Sequence, residues 1–345
     1  MSKISFKNDY SEGAHPAILS ALSETNLVPQ EGYGYDAYCE EASAMIRREC
    51  DLPEADIYFV SGGTQTNLLV ISHLLRPHEA VIAAASGHIN VHETGAIEST
   101  GHKVCTVPTP LDKLTTDDIL AVLTHHTDEH MVKPAMVYIS QSTEFGTLYS
   151  RRELSELSAF CRAHGLLLYL DGARIGSAVT ASGEDNPSLR EIAALVDAFY
   201  IGGTKNGALL GEAIVFTSRR PDNAFLFQIK QRGAMLAKGR ILGIQFATLF
   251  RNGLFYELAT HANRMAAELS AGIAACSYSF LYPSQTNQIF PILPNSLIEK
   301  LSTEYDFYVW QSVSPDSSAI RLVTSWATPP ENVAAIIHSI SSYRH

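Results

Sequence analysis

The sequence is poor in cysteine and in positive charge, and it has no long apolar run. Its five cysteines are scattered without a C-x-x-C pair, which argues against a disulfide framework or a cysteine zinc site and favours a reducing compartment. Lysine and arginine number 25 against 36 acidic residues, and the net charge of −11 disfavours nucleic acid and anionic membranes as partners. No segment reads as a signal peptide or a membrane span, so we expect a cytoplasmic protein.

Short β-branched or aromatic runs alternate with helical patterns from residue 57 onward. The runs predicted as strands are IYFVS, AVIAAA, KVCTV, AMVYIS, LLLYL, AFYI and AIVFT. One intervening helix carries a capping-box pattern at Ser150 and Glu153, and Gly165 suits its carboxyl end. This alternation predicts an α/β fold with a mostly parallel central sheet and helices on both faces.

The pattern changes after about residue 220. Residues 222–250 and 257–273 read as long helical segments, and a small α/β unit follows them. With 345 residues and 46% hydrophobic composition, the chain can form a large core and a smaller appendage. We predict a large domain over residues 1–250, including an amino-terminal arm, and a small carboxy-terminal domain over residues 251–345.

Open α/β sheets bind ligands beyond the carboxyl ends of their strands, so the residues that follow each strand are the informative ones. GGTQTN follows the first predicted strand and leads into a helical pattern. Free amides and the helix dipole there would bind a phosphate, although a plain turn capped by Thr64 explains the motif equally well. The motif lacks the lysine of a P-loop, which disfavours a nucleoside triphosphate.

Three further strand ends carry polar residues. Asp171 directly follows LLLYL, and Arg174 three residues later could pair with it, although Asp171 could also cap a helix. Lys205 follows the next strand, near enough to face the same pocket. His88 follows a fourth strand, where it could stack on a flat cofactor and move protons, serve as a structural histidine, or pair with His92 on a metal. An amine, a carboxylate and phosphate-binding amides together match the needs of pyridoxal phosphate.

The motifs GGTQTN, GHINVHETGA, ISQSTEFGTLY, DGARI, GGTKNGALLGEAIV, KQRGAMLAKGR and IRLVTSW occur in this order across nearly the whole chain. In that order the sequence resembles the threonine aldolase and β-eliminating lyase family of pyridoxal phosphate enzymes, which have fold type I. The resemblance is strongest to low-specificity L-threonine and phenylserine aldolases. It implies retro-aldol cleavage of L-threonine, L-allo-threonine or similar β-hydroxy-α-amino acids to glycine and an aldehyde. It also implies a homotetramer, a dimer of dimers with active sites at the subunit interface.

The resemblance also assigns roles to residues near the cofactor. Lys205 would form the Schiff base, Asp171 would face the pyridine nitrogen and His88 would stack on the ring. The remaining cofactor candidates are Gly63, Thr64, Gln65, Arg174 and, for the phosphate of a neighbouring subunit, Lys230, Arg232 and Lys238. Considered alone, without the resemblance to the family, Lys205 would be interpreted as an ordinary lysine on a loop at the end of a strand.

The substrate would meet a second group of residues. Arg321 would bind the substrate carboxylate, with Arg174 beside it. Glu144 stands where better-known members have histidine, and Asn8 stands where they have serine, so both are expected near the substrate. We expect His88 or, as the alternative, Glu144 to take the β-hydroxyl proton.

Three other functions stay open at this point. The same cofactor supports β-elimination and transamination. A protein that keeps the fold but only binds a partner is a second possibility, and a cofactor-free Schiff-base aldolase for sugar phosphates is a third. The presence of both Lys205 and Asp171 argues against a protein that only binds a partner, and Asp171 would have no obvious purpose in a cofactor-free aldolase.

Overall fold

The computed structural model describes residues 3–217 and 224–343. In chain order its strands are β1 Ile4–Ser5, β2 Asp56–Val60, β3 Glu79–Ala84, β4 Val104–Val107, β5 Lys133–Ser140, β6 Leu167–Asp171, β7 Ala198–Gly202, β8 Glu212–Phe216, β9 Gln288–Ile289, β10 Ile292–Pro294, β11 Tyr305–Asp306, β12 Tyr308–Ser314 and β13 Ser317–Val323. Its α-helices are α1 Pro16–Thr25, α2 Ala37–Cys50, α3 Gly63–Leu74, α4 His88–Val91, α5 Thr116–His125, α6 Arg151–Ala163, α7 Ile175–Val179, α8 Leu189–Leu195, α9 Ala224–Gln231, α10 Arg240–Phe250, α11 Leu254–Ala275, α12 Asn295–Leu301 and α13 Pro330–Ser341.

The central sheet contains the strands that the apolar runs predicted. Their order is β2-β8-β7-β6-β5-β3-β4. Strand β8 is antiparallel to both of its neighbours, and the other neighbouring pairs are parallel. Every residue of β6, β7 and β8 is buried, because helices cover both faces of the sheet. The predicted mostly parallel, helix-covered sheet is confirmed.

Alternate residues of each central strand enter different cores. Along β7, Phe199 packs into the core on one face of the sheet and Tyr200 into the core on the other. Tyr138 of β5 lies opposite Tyr169 of β6 in the strand register, and both share the core that contains Tyr200. Three phenol side chains therefore lie on one face near the carboxyl ends of the strands.

One predicted helix is observed as expected, and one is divided. Ser150 and Glu153 form the capping box of α6, and Gly165 has φ +66° just beyond its end. The prediction that residues 222–250 form one long helical segment is wrong, because α9 and α10 are separate helices; its first two residues lie outside the described part. Gly233, at φ 69°, lets the chain turn away after α9. No helix in the described ranges is both long and apolar enough to cross a bilayer.

The carboxy-terminal unit holds the amino-terminal segment that contains β1. Strand β13 pairs antiparallel with β9, β10 and β12, and this small sheet packs with α11, α12 and α13 around a third core. Strand β1 pairs with β11, and Phe6 is buried in the same core. The domain division at residue 250 stays a prediction. This pairing fixes the segment that leads into residues 8–10 against the carboxy-terminal unit.

Candidate active site

The carboxyl ends of β5, β6 and β7 lie side by side at one edge of the central sheet. Ser140 at the end of β5 is paired with Asp171 at the end of β6, and β6 is parallel to β7. Lys205 follows the end of β7, and the charge of Asp171 acts on its ammonium group. The structure thus brings Asp171 and Lys205 to one site.

Asp171 is a buried carboxylate with a full set of hydrogen-bond donors. The hydroxyl of Tyr138 donates to Oδ2 at 2.6 Å, and that of Tyr200 donates to Oδ1 at 2.6 Å. The Asn67 amide donates to Oδ2 at 3.1 Å and the backbone N–H of Ala173 to Oδ1 at 3.0 Å. These donors favour the ionised form of the side chain.

His88 is tied to Asp171 through a buried network. Its Nδ1 lies 2.7 Å from Oε1 of Glu93, and the Asn67 amide donates to the same oxygen at 2.7 Å. Burial lowers the pKa of His88, but the Glu93 hydrogen bond and the charges of Glu144 and Asp171 outweigh burial and raise it. Burial likewise opposes ionisation of Asp171, but the charge of His88 and the phenol hydrogen bonds lower its pKa. His88 and Asp171 thus each favour the charged form of the other.

Lys205 lies in an environment that disfavours its ammonium form. Burial and the charge of Arg174 lower the pKa of the Lys205 amine, and the charges of Asp9, Glu144 and Asp171 only partly oppose them. A lowered pKa increases the fraction of neutral amine at physiological pH. Neutral amine is the form that attacks a carbonyl carbon, so Lys205 is suited to covalent chemistry.

Arg174 forms an ion pair that the sequence did not predict. Its Nε and one terminal nitrogen donate to Asp9 at 2.7 and 3.0 Å, and the Asn287 amide donates to Asp9 at 2.9 Å. The suggested pair between Arg174 and Asp171 is therefore wrong. Because Asp9 holds two donors of Arg174, any role of this arginine toward cofactor or substrate stays a prediction.

Arg321 presents a guanidinium group against an aromatic wall. Its central carbon lies 5.1 Å from the ring centroid of Tyr308 and 5.4 Å from that of Trp310. Its Nε is buried and has no hydrogen-bond partner among the described residues. Burial and the charge of Arg174 lower the pKa of Arg321. A buried donor without a partner is costly, and a bound anion would satisfy it.

Glu144 lies in the loop after β5, within reach of the other charged groups. Its carboxylate charge acts on His88, Arg174, Lys205 and Arg321. No described group hydrogen-bonds this carboxylate. The side chain is therefore free to interact with a bound molecule, and its place near the substrate stays a prediction.

The amino terminus of α3 borders the same edge of the sheet. No side chain caps this helix end at Gly62, so its first amides can bind an anion. A cleft of about 690 Å³ beside it is lined by Thr64, Gln65, Leu68, Gln231 and Arg232. The Gln65 side chain accepts hydrogen bonds from Ser61 and so supports the turn. Within one chain, Arg232 therefore borders the predicted phosphate site.

The groups at this edge fit pyridoxal phosphate. The uncapped amides of α3, with Gly63 at its first position, suit the phosphate, and Asp171 is held ionised for a protonated ring nitrogen. Lys205 offers an amine of lowered pKa for the aldehyde carbon. Each requirement of the cofactor is met by a different strand or helix end.

Three other predicted residues have contacts of their own. The Asn8 side chain accepts hydrogen bonds from the backbone of Tyr10 and the hydroxyl of Ser11, so Asn8 supports a turn. Lys230 lies over the ring of Tyr33 at 4.6 Å, and Lys238 lines a different cleft near α1. Their suggested roles stay predictions. The described part of the chain contains no cluster of three metal-ligating side chains.

Sequence reasoning missed several members of the site. Asn67 and Glu93 lie inside the motifs GGTQTN and GHINVHETGA, so their motif membership was an available signal. Tyr138 and Tyr200 lie close to strand ends but have no distinctive local pattern. Asp9 adjoins Asn8, yet only the pairing of β1 with β11 explains why it meets Arg174.

Comparisons with known proteins show which proteins this chain resembles over its length. Residues 9–295 match the family model of β-eliminating lyases. A low specificity L-threonine aldolase from Pseudomonas aeruginosa is 32% identical over 97% of this chain and 96% of its own length. A second such enzyme, from Pseudomonas sp., is 31% identical over 98% of both chains. A solved structure of a threonine aldolase from Leishmania major aligns with a TM-score of 0.96 and 46% identity over 98% of both chains. The predicted fold type I is confirmed.

Proposed function

The chain belongs to the β-eliminating lyase family, and from this premise we propose that it cleaves threonine to glycine and acetaldehyde. It is a pyridoxal-phosphate-dependent carbon–carbon lyase. The observation that carries the proposal is the meeting of Lys205, Asp171 and the uncapped amino terminus of α3 at one edge of the sheet. We extend the proposal to L-allo-threonine and to phenylserine-like substrates.

The chain's own residues would hold the cofactor at three points. Lys205 would bind its aldehyde carbon, Asp171 would hold a proton on its ring nitrogen, and Gly63 and Thr64 would bind its phosphate through backbone amides. His88 would lie against the ring, fixed by its hydrogen bond to Glu93. When bound, pyridoxal phosphate supplies an acceptor for the electron pair of the breaking Cα–Cβ bond.

Arg321 orients the substrate. Its unpaired donor and its charge suit a substrate carboxylate, and a planar guanidinium can hold both carboxylate oxygens. A fixed carboxylate leaves the substrate few orientations about Cα, and orientation decides which bond breaks. The aromatic faces of Tyr308 and Trp310 keep the guanidinium in place.

One proton must leave the β-hydroxyl as the aldehyde forms, and Cα must gain one to give glycine. Threonine thus equals the sum of glycine and acetaldehyde, and no oxidant or water is consumed. His88 and Glu144 are the two groups that can take the hydroxyl proton. If His88 is the base, activity falls as pH falls through the raised pKa of this histidine.

Assembly of a second copy on this chain is also part of the proposal. Leu27 is 90% exposed and Phe227 is 77% exposed. Tyr33 and Tyr35 are also exposed, and both line one cleft. Large exposed apolar side chains favour an interface. A dimer of dimers would cover them and would bring Lys230 or Lys238 near a neighbouring phosphate site. The cytoplasmic location stays a prediction from the sequence.

The test is turnover of L-threonine by the purified chain supplied with pyridoxal phosphate. We expect glycine and acetaldehyde in equal amounts, and we expect Lys205→Ala to abolish turnover because it removes the buried amine on which Asp171 and Arg174 act. Lys300→Ala, at the end of α12, is the matched control and should retain full activity. Absence of glycine from the wild-type reaction would refute the function, and an active Lys205→Ala variant would refute the role of that lysine.

A further inference from the structure

Asp112 is a buried carboxylate in the connection between β4 and α5. It is 4% exposed, and its backbone has φ 58°, a conformation that costs non-glycine residues energy. The Ser86 hydroxyl donates to its Oδ1 at 2.5 Å, and the backbone N–H of Glu144 donates to its Oδ2 at 2.8 Å. One side chain therefore connects the segment after β3 to the loop after β5.

These two segments carry the two candidate bases. Ser86 lies just before Gly87, the residue that precedes His88 at the start of α4. Glu144 is itself the residue whose backbone amide is bound. Asp112 thus joins the two backbone segments from which the His88 ring and the Glu144 carboxylate extend.

We propose that Asp112 is a positioning residue that sets the distance between His88 and Glu144 for the cleavage reaction. The catalytic role of Asp112 rests on the proposed function. The restraint of the Glu144 amide by Asp112 does not depend on that function.

Burial makes the ionised form of Asp112 costly in free energy. Burial raises the pKa of Asp112 to about 6, two hydrogen bonds oppose this, and the charges of Glu144 and Asp171 add to it. The described residues offer it no cationic partner, since neighbouring Lys113 pairs with Glu153 at 2.5 Å. The charge of Asp112 also acts on Tyr149, which lies in the same loop as Glu144. Glycine would form the same turn without the free-energy cost of burying a carboxylate, so the turn alone does not explain an aspartate here.

Other contacts hold the turn in place when the Asp112 side chain is removed. The Thr147 hydroxyl donates to the carbonyl of Leu111 at 2.9 Å, and the backbone N–H of Leu114 donates to the Tyr149 hydroxyl at 2.6 Å. Glycine adopts φ 58° without strain. Asp112→Gly should therefore fold while losing both bridging bonds.

Two variants and one control separate the bridge from the fold. Asp112→Asn keeps both bonds, because its oxygen accepts from the Glu144 amide and its NH2 group donates to Ser86. Asp51→Gly is the matched control, since Asp51 is exposed and has φ 55° at the end of α2, far along the chain from the site. Each variant is assayed for glycine release from L-threonine.

Asp112→Gly should lower kcat by about 10- to 100-fold with KM changed by less than about threefold, because misplacement of a catalytic group chiefly affects the chemical step. Asp112→Asn and Asp51→Gly should both stay within about threefold of wild type. A kcat for Asp112→Gly within twofold of wild type would overturn the proposal, and so would equal losses in the glycine and asparagine variants.

Hydrogen exchange of the Glu144 amide gives a second readout without substrate or turnover. We expect exchange at Glu144 to be about tenfold faster in Asp112→Gly and unchanged in Asp112→Asn, since only the former leaves the amide unbonded. Unchanged exchange in Asp112→Gly would overturn the bridge. If the wild-type chain released no glycine, the proposed function would fail while this measurement still decided the restraint.

Discussion

Replacing Arg321 by glutamine tests whether this residue binds the substrate carboxylate. The guanidinium lies against Tyr308 and Trp310, and its Nε is a buried donor without a partner in the described part of the chain. An anion that enters the site satisfies that donor and pairs with the charge. Glutamine keeps a polar side chain but removes the charge and the planar pair of donors.

The size of the effect follows from the bonds lost. Two charge-assisted hydrogen bonds contribute about 1.5 to 3 kcal/mol each. Water that enters the vacated space hydrates the carboxylate in part, so we expect a loss of about 3 to 4 kcal/mol in transition-state binding. At about 1.4 kcal/mol per factor of ten, kcat/KM for threonine should fall by roughly 10²- to 10³-fold. Because the carboxylate is bound equally before and during bond cleavage, most of the loss should appear in KM.

The assay is glycine release over a range of threonine concentrations, together with thermal unfolding of the free protein. Arg321→Lys keeps a charge without the planar fork and should lose about tenfold, between wild type and Arg321→Gln. Burial and Arg174 disfavour the charged form in the fold, so the midpoint of unfolding should not fall in Arg321→Gln. A loss in kcat/KM below about threefold would refute the role of Arg321 in binding the carboxylate. A loss of the expected size that came with a lower midpoint of unfolding would refute it too, because instability would then explain the loss.

Two further predictions concern carboxylates that act on their surroundings. Glu93→Gln should lower the pKa of His88, because the Glu93 hydrogen bond is the strongest of the contributions that raise it; an unchanged NMR titration of that ring would contradict this. Asp112→Asn should stabilise the fold at pH 8, because ionising a carboxyl whose pKa rises from 3.8 to about 6 on folding costs stability as pH rises through that range. The gain should reach about 3 kcal/mol at most in urea unfolding and should vanish below about pH 4; equal stability at pH 8 would contradict it.

The elements of the fold could be predicted because their signals are local. Each strand of the central sheet is a short apolar run bounded by turn residues, and α6 begins at a capping box read directly from Ser150 and Glu153. The division between α9 and α10 could not be predicted, because apolar spacing continues through the connection around Gly233. Whether a glycine interrupts a helix depends on what its neighbours pack against.

The partners in the site could not be predicted from spacing alone. Asn67 meets Asp171, and Arg174 meets Asp9 rather than Asp171, although these pairs are far apart in the chain. Such contacts depend on strand order and on the docking of the amino-terminal segment through β1 and β11. No local pattern encodes either one.

The sequence by itself determined the type of sheet and the placing of Asp171 and Lys205 at strand ends, because hydrophobic periodicity and the direction of parallel strands are properties of the chain. Only the tertiary structure decided which charges are paired and which are free. In the described part of the fold, the Nε donor of Arg321 and the carboxylate of Glu144 have no hydrogen-bond partner, and the Asp112 side chain joins Ser86 to the Glu144 amide. The physical reason is that burial, which sets the cost of a charge, is created by segments brought together from across the whole chain.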